Sequence, residues 1–418
     1  MREVVITGMG IVSSLGIGLE AVLKALETGR SGVRTVPELA AANHPIPIAG
    51  DVVDFDAKAY VKPRKALKVM SRETQLAFAA AELAWDAARL EGCGVDPERL
   101  GVTVGSNMFC PEVVELDAAF HACKSGDGAF NLDRWGDRGL AEMFPLWLLK
   151  YLPNMAPCHV GIAHDARGPS NSVVAGDTSG LLAVIEAADV VARDHADVML
   201  TGGASSMLGM MDVMWHAGAR LSRSVAEPER ASRPFDAKRD GIVGGEGAAI
   251  LVLEAREHAV ARGASILGAV RGYGRRHEDA AASHRPTGRS IRGAIAAALA
   301  TADATAADVG CVSAFGASTE NDDRIEAQAI AATLGDVPVT ALKSRLGHAG
   351  AGCGAIELVA ALASIRCGTV PATLNYETPD PACPANVAAQ ACSPRSPLLM
   401  ALSHRITGQA VALAVEAQ

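Results

Sequence analysis

Aromatic side chains are scarce in this sequence: Phe, Trp and Tyr make up only 4% of its 418 residues. A core must therefore be built from Ala, Val, Leu and Ile with close glycine contacts, which suits tightly packed α/β layers. Basic charge is also short. A net charge of −9 and a pI near 5.7 remove the cationic footprint that a nucleic-acid binder needs. The nine cysteines, Cys93, Cys110, Cys123, Cys158, Cys311, Cys353, Cys367, Cys383 and Cys392, form no C-x-x-C pair. That spacing points to reduced thiols rather than a zinc site or a disulfide framework. The remaining candidate ligands His164, His277, His284 and His404 show no metal spacing either, so no metal and no cofactor are expected. No apolar run reaches the roughly 20 residues of a membrane span. The start, "MREVVITGMGIVSSLG", enters a strand pattern without the basic and apolar regions of a leader. The expectation is a soluble, cytoplasmic protein.

What is present is alternation. "EVVITGMG" reads as a strand and "GLEAVLKALETG" as a helix, and the helical run "ETQLAFAAAELAWDAARLEG" precedes the strand "GVTVGS". Leu76, Ala79, Ala80 and Leu83 give that run one apolar stripe, with Gly92 as its expected stop. Such alternation predicts βαβ units and a largely parallel sheet. A second round starts near Ala264 with "ILGAVRGYG" and ends in "PLLMALSHRITGQAVALAVEA", read as a hairpin around Arg405 to Gln409. Two similar halves, 1–255 and 256–418, are expected. The segment from Cys110 to Pro153 breaks the rhythm and is expected to serve binding or dimer contact.

The stretch "GPSNSVVAGDTSG", Gly168 to Gly180, runs from a strand through a turn into the helix "LLAVIEAADVVA". Asp177 falls at that helix start. A carboxylate there accepts from free N–H groups and meets the positive dipole end, a cap worth about 1 kcal/mol. The same place would lower the pKa of a thiol nucleophile.

Six blocks now carry a resemblance: "VVITGMGIVSSLG", "PNMAPCHVGIAHDARGPS", "ADVMLTGGASS", "RPFDAKRDGIVGGEGAAILVLEAREHAVARGA", "LKSRLGHAGAGCGAIE" and "VPATLNYETPDPAC". Nearly end to end, the chain resembles the β-ketoacyl-acyl carrier protein synthases, the condensing enzymes of fatty-acid and polyketide synthesis. The resemblance implies a thiolase-like α/β fold, with duplicated halves in α-β-α-β-α layers, normally dimeric. It also implies an active cysteine in a pattern like T-A-C-[ST]-S-G and two histidines that promote decarboxylation. Here "AGDTSG" puts Asp177 in the cysteine's place, and "SAFGAST" puts Phe315 where N-A-H-G-T has histidine. "KSRLGH" keeps Lys343 and His348. The motif resembling N-S-F-G-F-G-G-T-N reads "LSHRITGQA", which leaves Ser403 and Gly408 without the phenylalanine gate.

Acylating a carboxylate gives a mixed anhydride, so Asp177 is a poor acyl carrier, and Phe315 cannot donate a proton. The resemblance thus implies a condensation-inactive subunit of the chain-length-factor type. It would pair with an active ketosynthase, or with itself, meet acyl carrier protein through that complex, and shape chain length. The alternative is a cysteine-independent acyl-thioester enzyme, performing acyl transfer, hydrolysis or dehydration with Asp177 and His348 as the acid–base pair. Thr178 or Ser179, activated by His348, is a further candidate nucleophile. Lys343 and His348 also read as packed, hydrogen-bonded members of the inherited scaffold.

Overall fold

A computed structural model describes residues 1–107, 111–209, 211, 220–279 and 286–418. Cys110 and His284 lie outside the described residues. The principal strands are β1 (Val4–Ser13), β2 (Leu100–Gly105), β3 (Ser170–Val173), β4 (Val198–Ser206), β5 (Gly244–Ala255), β6 (Gly268–His277), β7 (Val309–Ser313), β8 (Val339–Thr340), β9 (Leu398–His404) and β10 (Gln409–Ala417). The helices that cover them are α1 (Leu19–Glu27), α2 (Arg72–Ala88), α3 (Met155–Ala163), α4 (Ser179–Ala192), α5 (Arg289–Ala302), α6 (Glu320–Leu334) and α7 (Cys353–Arg366).

Strand order is β8-β7-β9-β10-β6-β1-β5-β4-β2-β3. Read inward from its two ends, this path repeats one pattern. β2 pairs in parallel with β3 and β4, and β5 is antiparallel to β4 and β1. β7 likewise pairs in parallel with β8 and β9, and β10 is antiparallel to β9 and β6. The halves join where Val5 and Ile6 of β1 meet Ala269 and Gly268 of β6.

Alternation along the strands builds the layers, because successive side chains leave opposite faces. In β5, Ala248, Ile250 and Val252 join the core under α2 and α3. Ala249, Leu251 and Leu253 face the central core that holds α4 and α7. In β10, Val411, Leu413 and Val415 face that same central core, while Ala410, Ala412 and Ala414 face α5 and α6. The result is a mixed α/β fold with helices outside and between two sheet halves.

Glycine sets how closely the outer helices lie. A Cβ on Gly8 or Gly10 would fall 2.5 Å from the Ala84 carbonyl oxygen and 2.0 Å from that of Ala80, both on α2. A Cβ on Gly272 or Gly274 would meet the Ala298 and Ala294 carbonyl oxygens of α5 at 2.5 and 2.0 Å. "GMG" and "GYG" therefore do the same job in each half.

One boundary departs from expectation. α2 stops at Ala88 rather than at Gly92, with Arg89 left-handed at φ 53°. Turning there sends Leu90 into the core, where it is 2% exposed, and the Leu90 N–H reaches the Trp85 carbonyl. From Pro111 to Pro153 the chain forms short helical turns. Rings of Phe120, Phe130 and Trp135 cluster with centroids 5.5 to 6.3 Å apart, and Val114, Leu132, Leu140, Phe144, Leu146 and Leu148 are exposed. No helix among the described residues is long and apolar enough to cross a membrane.

The glycine contacts generate a test. Gly10→Ala and Gly274→Ala should each cost about 1–3 kcal/mol or more, because a methyl group is forced into helix backbone. The two losses should add to within about 0.5 kcal/mol, since the sites lie in different halves. Denaturant titration of the single and double variants measures both.

Candidate active site

Three loops meet where α4 and α7 begin. The first is the single turn Gly176–Thr178, which carries Asp177. Gly176 takes φ 59°, a conformation that favours glycine, and bends the chain out of β3. The expected capping role of Asp177 is not found. Thr178 occupies the N-cap of α4, no side chain caps the helix, and the carboxylate turns the other way. Asp177 Oδ1 lies 3.7 Å from His348 Nε2, and its Oδ2 lies 3.9 Å from Arg405 Nε. Tertiary placement of an imidazole and a guanidinium beside the carboxylate has outweighed the local cap.

Thr178 and Ser179 are committed to the turn itself. Thr178 Oγ1 lies 2.9 Å from the Ala175 carbonyl and 3.0 Å from Gln409 Oε1. Ser179 Oγ donates to the Gly176 carbonyl at 2.6 Å and accepts from the Ala175 N–H at 2.9 Å.

The second loop, 314–319, follows β7 and presents Phe315, which is 2% exposed. Glu326 of α6 fixes it, accepting the Phe315 and Gly316 N–H groups at 2.7 and 2.8 Å. The third loop, 343–352, carries Lys343 and His348. Lys343 Nζ donates to the Phe315 carbonyl and to Glu357 Oε1, each at 2.6 Å, and stands 3.9 Å from the Phe315 ring centroid. The His348 ring meets the same phenyl edge-on at 5.5 Å. Its Nδ1 accepts from the Gly350 N–H at 3.2 Å. The four expected positions, Asp177, Phe315, Lys343 and His348, thus stand together in one largely buried cluster.

The fold brings further groups there that the motifs did not single out. His404 lies 4.6 Å from the Phe315 ring, with Nε2 3.6 Å from Glu326 Oε2. Burial alone would lower its pKa, but Glu326 outweighs that and raises it. Glu357 is buried on α7, and desolvation pushes its carboxyl up to about 7 despite Lys343. Cys353, at the start of α7, is the thiol beside this charge cluster. Its complete burial raises its pKa, so it stays protonated and unreactive. Asp323 anchors the Phe235 N–H at 2.7 Å, and burial pushes it up to about 7. A signal for this second layer existed in the acid-rich start of α6, "ENDDRIE", but its burial could not be read from composition.

The β-ketoacyl synthase N-terminal domain matches residues 1–259, and the β-ketoacyl synthase C-terminal domain matches residues 267–377. The chain belongs to the β-ketoacyl synthase family. It is 35% identical to a 3-oxoacyl-[acyl-carrier-protein] synthase 2 of Coxiella burnetii, over 91% of this chain and 90% of that protein. It is also 35% identical to the tetracenomycin polyketide synthase ketoacyl synthase alpha subunit of Streptomyces glaucescens, over 91% and 89%. A β-ketoacyl synthase structure from Burkholderia phymatum superposes with TM-score 0.90 at 30% identity, over all of both chains. The ishigamide ketosynthase/chain length factor superposes with TM-score 0.86 at 28% identity, over 100% of this chain and 99% of that one. At the meeting of the three loops the groups present are a carboxylate, a phenyl ring, an imidazole and a buried Lys–Glu pair.

Two expectations follow. Glu357→Gln leaves the Lys343 ammonium buried without its counter-charge and should cost about 3–5 kcal/mol. The double variant Lys343→Met, Glu357→Leu should recover most of that loss in thermal denaturation. Asp323, with its folded pKa raised to about 7, stays protonated while its unfolded counterpart ionises near pH 4. Stability is therefore unpenalised below about pH 4 and falls as pH rises from there to about 7. Asp323→Asn should flatten that decline, so its stability relative to wild type improves from pH 4 to pH 7.

Proposed function

We propose that this chain is a condensation-inactive ketosynthase subunit that works with an active, cysteine-bearing ketosynthase in type II fatty-acid or polyketide synthesis, where it shapes chain length. The observation that carries this reading is that Asp177 and Phe315 both stand against the His348 imidazole. Thioester exchange onto a thiol is nearly thermoneutral, whereas a carboxylate would form an anhydride open to rapid hydrolysis. A phenyl ring at 315 offers neither a proton nor a hydrogen bond to a developing enolate. Both steps of condensation lose their chemistry together. Likeness to the ishigamide ketosynthase/chain length factor over the whole chain supports the same reading.

A partner surface is at hand. The apolar side chains exposed between Val113 and Leu149, the exposed Ile162 and the edge strand β3 give an extended face suited to a second ketosynthase fold. Acyl carrier protein would be met through that complex. The approach of Asp177 to His348, 3.7 Å, favours one rival, an acid–base pair acting on an acyl thioester without cysteine.

Purified alone, the chain should give no β-ketoacyl product from acyl and malonyl carrier protein. Added to the cysteine-bearing synthase encoded beside it, it should co-purify and change yield or product length. A neighbour that is fully active alone with unchanged products overturns the proposal. Thioester turnover by this chain alone that disappears in Asp177→Ala establishes the rival.

A further inference from the structure

The β9–β10 hairpin carries a side chain that the preceding chemistry leaves without a task. Set against N-S-F-G-F-G-G-T-N, "LSHRITGQA" places Arg405 where the motif has its first glycine. Its guanidinium lies on the backbone of Gly176. A Cβ on Gly176 would fall 2.4 Å from Arg405 Cζ and 2.5 Å from Nε, so the space above residue 176 is already filled. Arg405 Nε also stands 3.9 Å from Asp177 Oδ2. With 28% of its side chain exposed against 17% for Asp177, the arginine forms the outer layer of the pair.

The hairpin that holds it is fastened on both sides. Ser403 Oγ donates to the Asp177 carbonyl at 2.7 Å. His404 stands against Glu326 and Phe315. The Arg405 N–H bonds the Gln409 carbonyl at 2.9 Å, and the Gln409 side chain meets Thr178. Three consecutive residues, 403 to 405, are thus tied to the turn or to the loop opposite it. These ties hold the backbone that carries Arg405 against the turn.

We propose that Arg405 is a plug, its guanidinium packed over Gly176 and Asp177 so that the pocket of this chain is closed to a pantetheine-bound acyl thioester whatever residue stands at 177. The inference rests on the reading that position 177 matches the acylated position of active relatives. It adds a steric block to the chemical one. A carrier arm finds no open second pocket here and stays with the partner that can use it.

Carbodiimide with glycine ethyl ester tests the plug on the full chain. The reagent activates a carboxyl, and the amine then displaces the urea to leave an amide, which peptide mass spectrometry counts residue by residue. Arg405→Ala should raise labelling at Asp177 about tenfold, following the population of open pocket, while Asp336, 80% exposed, labels equally in both proteins. A second measurement supplies a thiol. In Asp177→Cys, S-octanoyl pantetheine transfers its acyl group to the cysteine sulfur, and the proton passes to the departing pantetheine thiol. Asp177→Cys with Arg405→Ala should load about tenfold faster than Asp177→Cys alone, with melting curves confirming that both are folded. Equal labelling and equal loading with and without Arg405 overturn the plug. Neither readout involves the partner synthase, so failure of the plug leaves the subunit reading standing, and an independently active partner leaves the plug standing.

Discussion

The structure depends on how closely two helix starts approach each other in the middle layer. A Cβ on Gly180, the second residue of α4, would lie 3.0 Å from the Ala351 carbonyl oxygen. A Cβ on Gly354, the second residue of α7, would lie 2.7 Å from Leu181 Cγ. Gly203 of β4 completes the contact, 2.9 Å by the same measure from the Ala351 oxygen. Any larger residue at these points would push the halves apart, because a close-packed core has no room to absorb a methyl group. This approach sets the turn at 176–178, from the first half, against the loop at 343–352, from the second. The cluster of site residues is therefore a product of the interface between halves and belongs to neither one.

Within the pocket, Phe315 organises the charges. Its ring has Lys343 on one side, His348 at its edge and His404 beyond. Lys343 is answered by Glu357, His404 by Glu326 and His348 by Asp177. Each cationic or cation-capable group thus has its own carboxylate, as burial requires. The phenyl ring separates these pairs and can exchange no proton with any of them.

The path from sequence to fold was short for the layers and long for the site. Alternation of short β runs with Ala/Leu helices placed the principal elements, and the two rounds of that pattern correspond to the repeated strand order, but the sheet expected to be largely parallel is mixed, with β5, β1, β6 and β10 joined by antiparallel pairs. The stop of α2 at Arg89 was missed because the core's demand for Leu90 outweighs the local preference for glycine at a helix end. "GMG" and "GYG" stand in the sequence without marking a repeat, and only the 2.0 Å approaches to Ala80 and Ala294 give them meaning. The capping role expected of Asp177 failed for a related reason. Residues distant in the chain, His348 and Arg405, stand closer to its carboxylate than any rule of helix ends anticipates.

By itself the sequence determined the α/β class and the alternating order of elements, because periodicity is a local property of the chain, and the resemblance of its motifs to a known family marked positions 177, 315, 343 and 348 as places to look. Tertiary structure alone decided that Glu326 and Glu357 are buried counter-charges, that His404 stands behind Phe315, and that Arg405 lies over Gly176. These facts arise from contacts between segments tens to hundreds of residues apart. Their energies depend on burial, which no local pattern of residues records.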